Sequence, residues 1–275
     1  MHLQNELIGE LTFVILAYKE SPYLPQCIES LRRQTVPVRL VISTSTGNGF
    51  IDETAKRFGI PVITHELHGI ANDWNAALSC AATNLVTLAH QDDIYDPFYA
   101  EAIMDAFEKA RQGGERPQIL FTDYYEIRSD QRVYTNKNLQ VKRRLLKPLC
   151  STGKRRTIHA RRYVLRFGNA ICCPAVTYVR NNLPLPLFKE GMESNIDWQA
   201  WERISKDPGS FIYIPRPLVG HRIHAESTTS ALIESRGRSS EDLDMLCKFW
   251  PVWMASLIER VYSKAEDSNQ NRQRG

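Results

Sequence analysis

Apolar residues in the first half of the chain fall into short continuous runs separated by amphipathic segments. The runs Thr12–Tyr18, Val38–Ser43, Ile60–Thr64, Leu85–Ala89 and Gln118–Asp123 read as buried strands. Between them the apolar spacing turns helical. A helix opens at Ser21-Pro22 with Leu24, Cys27, Ile28 and Leu31 on one face. Short helical segments follow over Asp52–Phe58 and Asn72–Ala82, the latter with Trp74, Ala77, Leu78 and Ala81 as its stripe. Asp96-Pro97 reads as an N-cap with proline at the first helical position, directing Phe98, Ala102, Ile103, Ala106 and Phe107 inward. This alternation predicts an α/β domain with a mainly parallel central sheet and helices on both faces.

The second half is less regular. Ala175–Val179 and Phe211–Pro215 read as strands, and Asp197–Ile204 as a helix offering Trp198, Trp201 and Ile204 to the core. A last helix is expected from about Ser240 to Ser263, broken near Pro251, with Trp250, Trp253, Leu257 and Val261 packing on the domain. The implied layout is one domain over 1–235, a helical extension over 236–265 and a disordered polar tail over 266–275.

Charge adds one feature. The net charge is +4, yet from Lys142 to Arg166 there are ten Lys/Arg and no Asp/Glu. Such a block offers an anionic partner a surface (a diphosphate, a membrane face or nucleic acid) or is a solvated face. The six cysteines include no C-x-x-C pair, which argues against a zinc site or disulfide framework. Met1–Glu6 has no basic segment leading into an apolar run, and no stretch approaches the length of a membrane span, so a cytoplasmic location is expected.

Parallel sheets bind ligands at the carboxyl ends of their strands. Here those ends carry Tyr18-Lys19-Glu20, Ser43-Thr44-Ser45, His65 and Gln91-Asp92-Asp93. No G-x-G-x-x-G or G-x-x-x-x-G-K-[ST] loop follows the first strand, which disfavours dinucleotide and P-loop enzymes. Adjacent carboxylates repel unless a cation or hydrogen-bond donors neutralise them. Asp92 and Asp93 therefore suit Mg²⁺ or Mn²⁺, with substrate phosphates completing the shell, or serve as loop carboxylates.

An ordered set of segments narrows the choice. Ser30-Leu-Arg-Arg-Gln34-Thr35 ends the first helix, Gly69-Ile-Ala-Asn-Asp-Trp-Asn75-Ala-Ala-Leu78 follows, and Thr87-Leu-Ala-His-Gln-Asp-Asp-Ile-Tyr95-Asp-Pro97 comes next. The set resembles the family-2 glycosyltransferases of the GT-A fold, closely over about 11–107 and more loosely to about 228. The resemblance implies a GT-A domain whose donor half is about 11–125 and acceptor half about 126–235. It implies inverting transfer of a sugar from a nucleotide diphosphate to an acceptor hydroxyl, with Mn²⁺ or Mg²⁺, in polysaccharide or related glycan synthesis. Asp92 is then the first candidate metal ligand and Asp93 the second, with His224 a further one. Ala17, Tyr18, Glu20, Ser43, Thr44, Asn72, Asp73, Asn75, His90, Gln91, Asp92 and Arg222 become candidates for donor binding, Arg222 on a loop closing over the diphosphate. Asp197 becomes the candidate catalytic base, its other reading being a helix N-cap.

The chain departs from the family pattern at three points. His90 stands in place of an acidic residue, Ser43-Thr44 where many members carry a base-recognising Asp, and Ile196 in place of a Glu. These departures keep open a non-catalytic nucleotide-sugar-binding module, and a nucleotidyltransferase is the third class. The expected partners are a nucleotide sugar and a glycan or lipid-linked acceptor, with no nucleic acid. The 142–166 block would add peripheral contact with an anionic inner membrane face.

Overall fold

The computed structural model describes residues 11–223 and 237–260. Strand β1 (Leu11–Leu16) leads to helix α1 (Leu24–Arg32), β2 (Arg39–Thr44), α2 (Gly49–Phe58), β3 (Val62–Thr64), α3 (Ile70–Cys80) and β4 (Leu85–His90). Next come β5 (Ile94–Tyr95), α4 (Tyr99–Gln112), β6 (Pro117–Arg128), β7 (Gln131–Val133), α5 (Lys137–Leu146), α6 (Thr152–Arg155) and α7 (Ile158–Leu165). The rest is β8 (Val176–Val179), α8 (Ile196–Ile204), β9 (Ser210–Ile223), α9 (Gly237–Cys247) and α10 (252–260). One sheet runs β3-β2-β1-β4-β8-β6-β9-β5, with β7 added on β6.

Alternation along β1 builds both cores, because successive strand side chains point to opposite faces. Phe13 and Ile15 pack with Leu24, Ile28 and Leu31 of α1, Ile51 of α2 and Tyr99 and Ile103 of α4. Val14 belongs to the other face, with Ala77 and Leu78 of α3, Val164 of α7, Trp198 and Trp201 of α8 and Met245 of α9. Helices cover both faces, as the sequence pattern predicts.

The parallel pairs are β3-β2, β2-β1, β1-β4 and β6-β9, while β8, β5 and β7 pair antiparallel. At the β4–β8 joint Thr87 and Thr177 face each other, their buried hydroxyls 2.7 Å apart. Tyr99 Oη donates to Ala175 O at 3.0 Å and lies 3.1 Å from Thr177 Oγ1. Buried hydroxyls are satisfied by one another, which fixes the register of this central pair.

Several expectations are corrected. Helix α4 begins at Tyr99, and Asp96 does not cap it. Asp96 forms the preceding turn, accepting from Phe98 N through Oδ1 at 3.0 Å and from Tyr99 N through its carbonyl at 3.0 Å. Phe98 is consequently exposed, and Tyr99, Ala100 and Ile103 point inward. The strands expected to end at Asp123 and Pro215 continue to Arg128 and Ile223. Trp253 and Leu257 do not pack on the domain: they are 67% and 55% exposed, while Ala255 and Trp250 turn towards the core. Val261 and residues 266–275 lie outside the described residues.

Nor is the basic block an open cationic face. Arg143 binds Asp123 at 2.6 Å, and Arg155 grips Glu115 through two bonds of 3.0 and 2.5 Å. Buried Arg161 donates to Gln118 Oε1 and Asp207 O. Arg162 binds Glu202 at 2.6 Å and Lys248 O at 2.9 Å. Buried carboxylates need such partners, so half the block is internal scaffold. Arg144, Lys147, Lys154 and Arg156 remain exposed.

Two outcomes follow for stability. A Cβ at Gly220 would lie 2.7–2.8 Å from the Tyr125 ring. Gly220→Ala is expected to lower unfolding free energy by about 1–3 kcal/mol, as overpacking does. In urea titrations the cost should shrink in a Tyr125→Ala background. Glu202 is the second case. Burial raises its pKa, but hydrogen bonds and charges from Lys206 and Arg162 outweigh that and hold it below the ordinary 4.5. Its stabilisation is therefore present above that pH and lost as pH falls through the depressed value. Glu202→Gln should cost about 2 kcal/mol at pH 7, with the gap from wild type closing on acidification below about 4.5.

Candidate active site

The carboxyl ends of β1, β2 and β4 lie side by side. Ala17 N donates to Ser43 O at 3.0 Å and Lys19 N to Thr46 Oγ1 at 2.7 Å, so the segment after β1 is tied to the end of β2. Lys19 has φ +53, a turn that reverses the chain there. Gln91 joins β1 to the acidic turn by a two-way contact: Oε1 accepts from Tyr18 N and Nε2 donates to Tyr18 O, both at 3.0 Å. Ser43 and Thr44 are buried at this end, and Ser43 Oγ has no hydrogen-bond partner. Tyr18 is half exposed.

Asp93 is fully buried, although it follows a strand end. Its Oδ1 accepts from Arg222 N at 2.8 Å and lies 3.1 Å from His221 Nδ1. The imidazole of His221 is subject to opposing influences. Burial lowers its pKa, but the charge and hydrogen bond of Asp93 and the charge of Asp92 carry it above the ordinary value. Burial also pushes His90 down; Asp93 and Asp92 only partly reverse this, and the net value is lowered, which favours a neutral ring. Ligand atoms of His90, Asp92 and Asp93 all lie within 4.8 Å of one another, and His90 Nε2 is buried with no hydrogen-bond partner. An unsatisfied buried nitrogen beside two carboxylates fits a divalent cation.

Arg222 sits in β9 and not on a loop, which corrects the expected position. Its Nε donates to Asp92 O at 3.0 Å, Nη1 to Asp130 Oδ1 at 3.0 Å and Nη2 to Gln26 Oε1 at 2.7 Å, with the guanidinium 4.3 Å from the Tyr23 ring centroid. It braces the acidic turn from behind. His224 lies outside the described residues.

On α3 the three candidate side chains diverge. Asn75 is a backbone clamp, donating to Phe188 O at 2.7 Å and accepting from Phe188 N at 2.9 Å. Asn72 donates to His68 O and Glu190 Oε1. Asp73 Oδ1 lies 3.8 Å from His65 Nε2, and both atoms are buried without a hydrogen bond. Glu20 is exposed beyond Lys19.

Asp197 lies in the first turn of α8, 9% exposed. It is not the N-cap, which is Asn195. Its Oδ2 accepts from Asn169 Nδ2 at 2.8 Å and its Oδ1 from Trp198 N at 2.7 Å. Burial first, then Asp93 and Asp197 among the charges, raise the pKa of Cys172, and burial, Asp197 and Asp93 that of Cys173. The two thiols stay protonated, and both acidic centres act on the same short segment.

His221, Gln26, Asp130 and Asn169 were missed by sequence reasoning. No local signal marks them: His221 meets Asp93 across 128 residues of chain and Gln26 meets Arg222 across 196.

The glycosyl transferase family 2 model matches residues 12–166, more than half of the chain, and the chain belongs to that family. The Bacillus subtilis protein named uncharacterized glycosyltransferase EpsJ is 27% identical over 150 residues, 52% of this chain and 42% of its own length. The chain thus spans less than half of that relative. Among solved structures, the mannosyltransferase PcManGT of Pyrobaculum calidifontis, in complex with GDP-Man and Mn²⁺, superposes with TM-score 0.58 at 13% identity, covering 88% of this chain and 64% of that one. S. aureus TarS 1–349 with UDP-GlcNAc gives 0.58 at 13%, covering 91% and 70%. Glucosyl-3-phosphoglycerate synthase of Mycobacterium tuberculosis with Mn²⁺ and UDP-glucose gives 0.54 at 15%, covering 86% and 79%. At these identities the likeness establishes the fold, that of the GT-A glycosyltransferases.

The two carboxylates should separate by experiment. Asp93→Ala leaves Arg222 N and the His221 ring without their acceptor, so it should cost about 2–4 kcal/mol in chemical denaturation. Asp92→Ala, which removes one of the three clustered ligand groups, should weaken divalent-ion binding in calorimetry.

Proposed function

We propose that this family-2 chain transfers a sugar from a nucleotide-diphosphate donor to an acceptor hydroxyl with inversion, in polysaccharide or related glycan synthesis. The observation that carries the reading is the His90–Asp92–Asp93 cluster at the carboxyl end of β4, whose ligand atoms lie within 4.8 Å of one another around a buried His90 nitrogen. Donor binding is assigned to the carboxyl ends of β1 and β2, with Ala17, Tyr18, Ser43 and Thr44 nearest the nucleoside and Glu20, Asn72 and Asp73 at its rim. The acceptor, a glycan or lipid-linked glycan, occupies the Asp197 side.

Asp92 and His90 would hold Mn²⁺ or Mg²⁺, which when bound offsets negative charge on the departing diphosphate. The Mn²⁺ present with the donor in the mannosyltransferase and the phosphoglycerate synthase supports this assignment. Asp93 and Arg222 orient the turn that carries Asp92. Asp197, ionised and held by Asn169 and Trp198 N, takes the proton of the acceptor hydroxyl. The oxygen then forms the new bond to the anomeric carbon as the bond to the nucleotide diphosphate breaks on the opposite face. The proposal places the chain on the cytoplasmic side, with contact to an anionic membrane through Arg144, Lys147, Lys154 and Arg156.

A thermal-shift screen of UDP-, GDP- and dTDP-sugars, with and without Mn²⁺, should give one donor class that stabilises the chain in a metal-dependent way. With that donor, Asp197→Asn should lower kcat by about 10²–10⁴-fold at unchanged donor Kd, and proton NMR of the wild-type product should show the inverted anomer. Wild-type turnover in Asp197→Asn removes Asp197 as the base. Metal-dependent donor binding with no transfer or donor hydrolysis would make the chain a binding module.

A further inference from the structure

We infer that His90 makes this centre select a borderline transition-metal ion such as Mn²⁺, Co²⁺ or Zn²⁺ over Mg²⁺. The inference rests on the donor-site reading above and concerns which ion that site takes.

Two carboxylates alone make an all-oxygen site, suited to a hard cation. The third donor here is an imidazole nitrogen, grouped with the Asp92 and Asp93 oxygens within 4.8 Å. Neutral imidazole binds ions of the later first row well, whereas Mg²⁺ prefers oxygen and parts reluctantly with its water. Three features commit the ring to this position. His90 is the last residue of β4, in register with Leu16 of β1, so its backbone is fixed by the sheet. Cys27 Sγ donates to its carbonyl at 3.4 Å, and the Trp74 ring packs 5.6 Å from the imidazole. Its Nε2 is shut off from solvent and has no hydrogen-bond partner among the described residues, which leaves that nitrogen available to a ligand.

The oxygen side of the centre is correspondingly thin. Asp93 spends Oδ1 on Arg222 N and on His221, and is held inside β9's edge of the site. Trp74 and Phe188, whose rings stand 4.9 Å apart, border the same side with apolar surface.

The test uses the full chain loaded with Mn²⁺ and inorganic pyrophosphate, a probe that carries no nitrogen. Electron spin-echo modulation of the bound Mn²⁺ should show coupling to a ¹⁴N nucleus, absent in His90→Asp and in His90→Gln. In competition titrations that follow free Mn²⁺ by its spin resonance, His90→Asp should shift the Mg²⁺/Mn²⁺ affinity ratio towards Mg²⁺ by roughly tenfold or more. Circular dichroism melting checks that each variant is folded, with His90→Gln carrying the coupling test if His90→Asp is not. Bound Mn²⁺ without nitrogen coupling, a coupling that survives both substitutions, or an unchanged ion ratio overturns the inference and leaves the donor reading standing. Failure of Mn²⁺ to bind with pyrophosphate, UDP or GDP overturns both.

Discussion

The carboxylate of Asp93 is the contact around which the site is organised. A fully buried charge is tolerated only where donors surround it. Here they come from β9: the backbone N–H of Arg222 and the ring of His221. The bond ties the turn after β4 to a strand that arrives 128 residues later in the chain. Arg222 then closes the arrangement by donating to Asp92 O from the same strand. Asp92 is thereby presented on a turn fixed from two sides, by Arg222 behind and by Gln91 against Tyr18 in front. Adjacent acidic residues in one motif thus differ: Asp93 is fully buried and holds the backbone of β9, while Asp92 is only partly buried.

The same rule explains where the positive charge went. A run of cations without acids looks like a surface for anions, yet three of its arginines point back to Asp123, Glu115 and Glu202. Each of those carboxylates lies in or beside the sheet or on α8, and each would be an unpaired buried charge without its arginine. The block is thus the complement of acids scattered elsewhere in the chain. Long arginine side chains suit this role because the planar guanidinium can satisfy both carboxylate oxygens at once, as Arg155 does with Glu115.

What could be read from the sequence follows from the range of the interactions. The parallel half was legible because each βα unit is local: a continuous apolar run, an amphipathic helix and a turn, all within about 30 residues. The segment at the end of β4 that carries Asp92 and Asp93 came with it. The antiparallel half was not, since β8 is a four-residue strand inserted between β4 and β6. Nothing near Val176 says which strands it joins. For the same reason Arg222 was expected on a loop. The polar residues His221 and Arg222 seem out of place in a strand until their buried partner Asp93 is known. The C-terminal helix misled in the opposite sense: Trp253 and Leu257 have the composition of a buried face, but Met245, Leu246 and Ala255 occupy it.

The strand ends that carry the acidic turn and the Asp197 carboxylate are held by different means. At the ends of β1, β2 and β4 the chain is held by one backbone bond, Ala17 N to Ser43 O, and by two side chains that bond backbone atoms, Gln91 to Tyr18 and Asp93 to Arg222 N. On the other side Asp197 is fixed by one amide side chain and by the N–H of its neighbour at a helix start. Backbone contacts survive most side-chain exchange, whereas the Asn169–Asp197 bond depends on both side chains. The strand ends are thus held through backbone atoms, whereas Asp197 is held through its own carboxylate. The departures at His90 and Ser43-Thr44 fit this division, because each alters a side chain while leaving the backbone bond at its strand end in place: Cys27 Sγ to His90 O, Ala17 N to Ser43 O and His65 N to Thr44 O.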